Sequence, residues 1–193
     1  MINRGQHFGI GIIEQVLEPS LCDKVVEYFD RSDKKGTGEV VRPDGSRAQG
    51  KSKVSIDLDI AEFPKELRDQ IHYHIVMAFV EYQNQFPSLQ GLEFRTMGYM
   101  IQMYPKNQGR FDWHSDATNL ETFRRQVAMV LYLNDVAEGG ETEFHYQELR
   151  VAPRRGNCIF FPPFWTHRHR GTVPVSDDKY VITSFFERDF DAE

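Results

Sequence analysis

Residues 125–134 read RQVAMVLYLN, residues 139–144 read GGETEF and residues 157–169 read NCIFFPPFWTHRH. The first is an apolar run with a strand's length and composition, and Gly139-Gly140 supplies a tight turn into the next short strand. The third is apolar until Pro162-Pro163, which cannot continue a ladder. From about Phe94 to Phe186 this punctuation repeats, with short apolar or alternating runs separated by Gly, Pro and Asn turns. That is the pattern of a β-sandwich or jelly roll.

Upstream the chain reads as helical. Ser20 is placed to cap a helix whose Leu21, Val25 and Phe29 recur every four residues, with Asp23 completing a capping-box pattern. A second helix opens at Pro64, carries Leu67, Ile71, Ile75, Phe79 and Tyr82 on one stripe, and ends before Pro87. Both stripes read as packing surfaces for a sheet, so the expected class is α+β, mainly β. Between the helices, Lys34 to Lys51 (KKGTGEVVRPDGSRAQGK) is rich in glycine and charge, and Pro43-Asp44-Gly45 is a turn signal. By itself this reads as a surface hairpin.

Composition bounds the function classes. At 193 residues, 40% hydrophobic and 13% aromatic, the chain can bury a sizeable core and carries no long disordered tract. A formal charge of -6 argues against nucleic acid as the partner, which usually requires a basic surface. The local basic groups Arg124-Arg125, Arg154-Arg155 and Arg168 with Arg170 read as solvated strand faces and turns. Cys22 and Cys158 make no disulfide framework and read as reduced, buried thiols. No run is long enough to span a bilayer, and the opening MINRGQHFGIGIIEQ is too polar for a secretory signal, so the expected location is intracellular, in the cytoplasm, away from any membrane.

The chemistry is concentrated in His114-Ser115-Asp116 and a histidine far downstream. Two imidazoles and a carboxylate suit a divalent iron and leave further positions open. Strand alternation would send His114 and Asp116 to one face and Ser115 to the other. A bare His-x-Asp is weak, because a lone histidine is more often structural than a ligand. His167 and His169 are two apart, so periodicity does not choose between them; the spacing to Lys179 and the following Arg170-Gly171 favour His169. His72 and His74 cannot share a helix face, and His7 and His145 have no partners at ligand spacing.

The ordered set YPKNQGRFDWHSD (104–116), VLYLNDVAEGGETEF (130–144), VAPRRGNCIFFPP (151–163) and HRGTVPVSDDKYVITSFF (169–186) resembles the catalytic core of the prolyl 4-hydroxylase group of iron(II) and 2-oxoglutarate dependent dioxygenases. It covers a little under half of the chain. The resemblance implies a double-stranded β-helix, a cupin-like jelly roll. Residues 1–193 would form one dioxygenase domain, with 1–92 as helical support, a lid at 34–51 and 93–187 as the jelly-roll core.

Residue by residue, the resemblance makes His114, Asp116 and His169 the iron ligands. Lys179 falls where the family keeps the basic residue that grips the distal carboxylate of 2-oxoglutarate. An ammonium suits that task, though it lacks arginine's bidentate fork. Tyr104 and Tyr132 match tyrosines lining the co-substrate pocket, Thr183 shares Lys179's strand face by alternation, and Phe185 helps wall the pocket. The implied cofactors are Fe(II), 2-oxoglutarate as co-substrate and O2, with ascorbate an open addition. Asp116 points to hydroxylation, since halogenating relatives carry a small residue there. The expected reaction is hydroxylation of proline in a peptide or protein, with succinate and CO2 released. The alternatives are hydroxylation of a free amino acid or other small metabolite by the same site and, further off, a cupin-like protein that only binds a metal or ligand. Lys179 and the two tyrosines argue against the last.

Overall fold

The structure, a computed structural model, describes residues 7–41 and 46–188. In chain order its elements are β1 (Gly11–Ile13), α1 (Pro19–Arg31), β2 (Gly36–Thr37), β3 (Val40–Val41), β4 (Arg47–Ala48), β5 (Lys53–Val54), β6 (Ile56–Asp59), α2 (Lys65–Gln85), β7 (Phe94–Thr96), β8 (Met100–Tyr104), β9 (Arg110–His114), β10 (Arg125–Tyr132), β11 (Thr142–Phe144), β12 (Leu149–Val151), β13 (Cys158–Phe161), β14 (His169–Gly171) and β15 (Lys179–Arg188). The larger sheet runs β1-β13-β10-β15-β8-β6-β2, with β7 also paired to β15. The smaller runs β12-β11-β14-β9-β5, and β3 with β4 forms a separate hairpin. The pairings within both sheets are antiparallel, and the architecture is the expected α+β jelly roll.

Alternation along the larger sheet decides what each face does. On β10, Val127, Met129 and Leu131 join Ile101, Phe160, Ile182 and Phe186 in the core beneath the helices. The intervening Ala128 and Tyr132 turn the other way, into a second core with Tyr104, Phe144, Ile159, Phe161 and Val181 between the sheets. The helices bury Leu21, Cys22, Val25 and Phe29 from α1 and Ile71, Ile75, Ala78, Phe79 and Tyr82 from α2. Phe79 stacks on Phe186 with ring centroids 3.8 Å apart, which fixes α2 against β15. Cys22 and Cys158 are buried free thiols, as expected.

Two local expectations are corrected. The first helix is entered through Glu18 and Pro19, and no side-chain cap is made, so Ser20 lies inside the first turn. Proline has no N–H to satisfy and a preset φ, which makes it a sufficient start for a helix. Asp23 pairs with Arg155 instead of completing a capping box. Residues before 92 are also more than helical support, because β1, β2 and β6 extend the larger sheet and β5 the smaller. Strands of two to four residues carry too little periodicity to be read in advance. The Pro43-Asp44-Gly45 turn lies outside the described residues.

Candidate active site

Strand β9 ends at His114, and Asp116 stands in the bend beyond it, so the two side chains do not converge by simple alternation. Their convergence has two other causes. Between the pairs His169↔His114 and Gly171↔Phe111, one residue of β14 faces two of β9. That extra residue is a β-bulge, which re-aims the side chains on either side of it. Phe111 and His114 therefore face the same way, their rings stacked with centroids 3.5 Å apart. The bend is then pinned from across the structure, where Asp116 N–H and Ala117 N–H both donate to the Pro163 carbonyl at 2.9 and 3.0 Å. The turn after Pro162-Pro163 thus orients the loop that carries the carboxylate.

His169 opens β14 directly opposite His114. Its Nε2 lies 3.6 Å from Asp116 Oδ2, and His114 Nε2 lies 3.5 Å from Asp116 Oδ1. Ligand atoms of these three residues all lie within 4.8 Å of one another. His167 sits in a 3-10 turn at 165–167 and turns away, its Nε2 meeting the carbonyl of Phe8. The ambiguity between the two histidines is therefore geometric in its outcome: His169 joins the cluster and His167 does not. His72 bonds Tyr99 through Nδ1 at 2.7 Å and His145 is exposed on the surface; the side chain of His7 is not among those described.

Hydrogen bonding fits the cluster to a metal. His114 Nδ1 lies 2.7 Å from the Asp112 carbonyl and His169 Nδ1 lies 3.0 Å from the His167 carbonyl. A carbonyl only accepts, so each Nδ1 carries a proton and Nε2 is the ring atom that faces Asp116. Burial, with His114 nearby, pushes the His169 imidazole down to about 4, so it is neutral at physiological pH. For Asp116 burial acts upward, but His169, His114 and Arg125 outweigh it and hold the carboxyl below its usual range. Two imidazoles and one carboxylate form a donor set suited to Fe(II).

The cluster opens into a cavity of about 710 Å³ between the sheets. Lys179, the first residue of β15, lines it at 4% exposure, and burial lowers its ammonium to about 8 despite the opposing charge of Glu141. Among the described residues it makes no hydrogen bond or ion pair; its nearest aromatic neighbours are the Tyr104 and Tyr132 rings, with centroids 5.4 and 5.6 Å from Nζ. A buried cation without a counter-ion is costly unless an anion completes it. The site is therefore suited to a carboxylate, as the residues of a 2-oxoglutarate pocket would be.

The other expected pocket residues divide. Tyr104, Thr183 and Phe185 line the cavity, the last two on the same face of β15 as Lys179. Tyr132 is fully buried with its ring 5.6 Å from Lys179 Nζ, and it donates its hydroxyl to Thr142 Oγ1 at 2.8 Å, Thr142 itself lining the cavity. Arg125 reads differently from a solvated strand-end arginine. Its guanidinium lies 3.9 Å from the Phe185 ring centroid and donates to the Asp116 carbonyl at 3.2 Å, so it braces the ligand-bearing bend. Arg170 is drawn over Trp113 at 4.7 Å and pairs with Glu143 at 2.6 Å. Four cavity residues, Lys53, Asp57, Gln102 and Thr142, have no sequence signal at ligand spacing.

Residues 99–187 match the family model described as the 2OG-Fe(II) oxygenase superfamily. Residues 99–187 belong to that superfamily. The enzyme is a 2-oxoglutarate-dependent dioxygenase that uses Fe(II), 2-oxoglutarate and O2. Among solved structures, the dioxygenase is similar to a prolyl hydroxylase of Trichoplax adhaerens in complex with a hypoxia-inducible factor peptide fragment. The TM-score is 0.75 at 16% identity, covering 94% of this chain and 84% of that one. A prolyl-4-hydroxylase of Pseudomonas putida gives 0.69 at 20% identity, covering 94% and 93%. A viral collagen prolyl hydroxylase of Paramecium bursaria Chlorella virus-1 gives 0.68 at 16% identity, covering 95% and 98%. At such identities the likeness shows the fold, a double-stranded β-helix. No curated protein matches the dioxygenase in sequence. Among the described residues no helix is long and apolar enough to cross a membrane.

The two histidines give a direct test of the cluster. His169→Ala is expected to take up no stoichiometric Fe(II) when titrated under nitrogen. His167→Ala is expected to bind iron normally and lose about 1 kcal/mol of stability with its bond to the Phe8 carbonyl. The reverse pattern would place the distal ligand at His167.

Proposed function

We propose that this dioxygenase hydroxylates prolyl residues in a peptide or protein, with Fe(II) on His114, Asp116 and His169 and the distal carboxylate of 2-oxoglutarate on Lys179. The observation that carries the reading is the Lys179 ammonium, buried without a hydrogen bond or ion pair among the described residues in the same cavity as a three-donor metal cluster. Support for the substrate class comes from the similar structures, which are prolyl hydroxylases, one of them with a peptide. The cavity also offers more room than a five-carbon diacid fills.

When bound, iron, 2-oxoglutarate and O2 supply the oxidising power that inserts one oxygen atom into substrate, and 2-oxoglutarate leaves as succinate and CO2. The chain's share is positioning and exclusion of water. His114 and His169 present their Nε2 atoms to the site, each ring fixed through Nδ1 by a backbone carbonyl. Arg125 holds the Asp116 bend from its carbonyl side. Lys179 fixes one end of the co-substrate, and Phe111, Phe161 and Val181 supply dry walls.

The test is direct. Iron-loaded protein is incubated with 2-oxoglutarate and either a proline-rich peptide or the free amino acids, and products are read by mass. Gain of one oxygen on a peptide proline with matching succinate is expected; gain on a free amino acid alone would replace the polypeptide reading with a small-molecule one.

A further inference from the structure

Away from the metal cluster, the cavity has a second buried polar wall. Lys53 Nζ donates to Asp57 Oδ2 at 2.7 Å, Ser55 Oγ donates to Asp57 Oδ1 at 2.7 Å, and the Gln102 amide reaches Asp57 Oδ2 at 3.4 Å. Tyr104 donates its hydroxyl to Gln102 at 2.9 Å, so the chain of bonds ends at the ring beside Lys179. Lys53 and Asp57 are nearly enclosed, with side-chain exposures of 4% and 14%. A buried ion pair seldom stabilises a fold beyond what apolar residues of the same size would achieve. Its contribution here is sought in what it holds in place.

What it holds is the segment 36–40. Gly36, Thr37, Glu39 and Val40 line the cavity, yet this stretch has little to keep it there. Strand β2 is an edge strand joined to β6 by only two register pairs, Gly36↔Asp57 and Thr37↔Ile56. Gly36, Thr37 and Glu39 are exposed, so apolar burial contributes almost nothing. The buried member is Gly38, whose N–H donates to the Ser55 carbonyl at 2.9 Å. A Cβ at position 38 would meet Ser55 Oγ at 2.1 Å, Asp57 Oδ1 at 3.1 Å and Lys53 Cε at 3.1 Å. The backbone thus lies flush on the polar cluster, and Lys53 Nζ also reaches the Glu39 carbonyl at 3.4 Å.

We propose that Lys53 and Asp57 are positioning residues that seat residues 36–40 as the substrate-side wall of the cavity, and so set affinity for the primary substrate rather than for iron or 2-oxoglutarate. The inference rests on the hydroxylase reading for its kinetic consequence only. Lys53 acts through Asp57 and the segment it fixes, and Gly38 is the contact that lets the segment approach.

The test uses iron-loaded protein under nitrogen for amide hydrogen exchange, and the same protein in air for turnover. In Lys53→Met and Asp57→Asn, exchange at residues 36–40 is expected to rise at least about tenfold, the loss of one charge-assisted hydrogen bond, with β10 and β15 unchanged. KM for a proline-rich peptide is expected to rise by a similar factor, and by several times more than KM for 2-oxoglutarate. Lys53→Arg is expected to recover most of the protection. A pair of variants keeps the charges intact: Gly38→Ala should unseat the segment by collision with Ser55, and adding Ser55→Ala should restore it. Unchanged exchange in Lys53→Met and Gly38→Ala overturns the inference, as does an equal rise in both KM values. If the wild type hydroxylates no peptide, the functional reading fails and exchange alone still decides the seat.

Discussion

Lys179→Met is expected to raise the KM for 2-oxoglutarate by roughly 30-fold or more, since truncating one partner of a buried charge pair costs about 2–5 kcal/mol, and to make the apoprotein harder to unfold. The two effects have one cause. Without its anion Lys179 is a buried cation whose pKa has fallen to about 8, and a methionine of similar length relieves that desolvation. The pH dependence has a definite sign. In the unfolded chain the lysine titrates near its ordinary 10.5. Between 8 and 10.5 the unfolded state therefore binds the proton and the folded state does not, so stability conferred at this position rises with pH across that window and its penalty is complete below 8. Co-substrate affinity runs the opposite way, and KM for 2-oxoglutarate should climb as pH rises above 8. Thermal unfolding of wild type and Lys179→Met at pH 7, with KM measured from pH 7 to 9, checks both. A variant that is less stable and keeps its KM would make Lys179 a structural residue.

Asp116→Ala should abolish stoichiometric Fe(II) uptake and reduce succinate release by roughly 1,000-fold or more, because the several kcal/mol that a bound metal contributes disappear with it. The fold should survive. The bend is held by its own backbone, through Asp116 N–H and Ala117 N–H on Pro163 and the Asp116 carbonyl on Arg125, and alanine retains all three bonds. The midpoint of thermal unfolding should therefore move by no more than about 4 °C, equivalent to about 1 kcal/mol for a chain of this size. Wild-type iron binding and turnover in Asp116→Ala would remove the carboxylate from the ligand set.

Much of the site was legible because its members are ordered along the chain in a recognisable set. His114, Asp116 and His169 do cluster, and Lys179, Tyr104, Thr183 and Phe185 do face one cavity. What escaped was created by pairing between distant strands. Lys53 gains meaning only beside Phe111 across β5 and β9, and Asp57 only beside Gln102 across β6 and β8. Arg125 reads as one of several surface arginines until Phe185 is placed under it. Tyr132 has the inward phase that alternation assigns it, but its hydroxyl bond to Thr142 is made across two strands and is not encoded by phase. The helix start failed on competition, since Ser20 had the right chemistry for a cap and Pro19 already occupied the entry. The two long helices and the apolar strands β10, β13 and β15 were the plainest features, because burial on one or both faces leaves a strong period.

The extra residue in β9 makes the register between two strands a condition for the metal cluster. Arg170 of β14 is opposed by both Asp112 and Trp113, and this two-against-one count lets Phe111 and His114 look inward together. Paired one to one, without the bulge, residues 111 to 114 would alternate strictly, which would swing the imidazole out to solvent and carry an indole toward the interior.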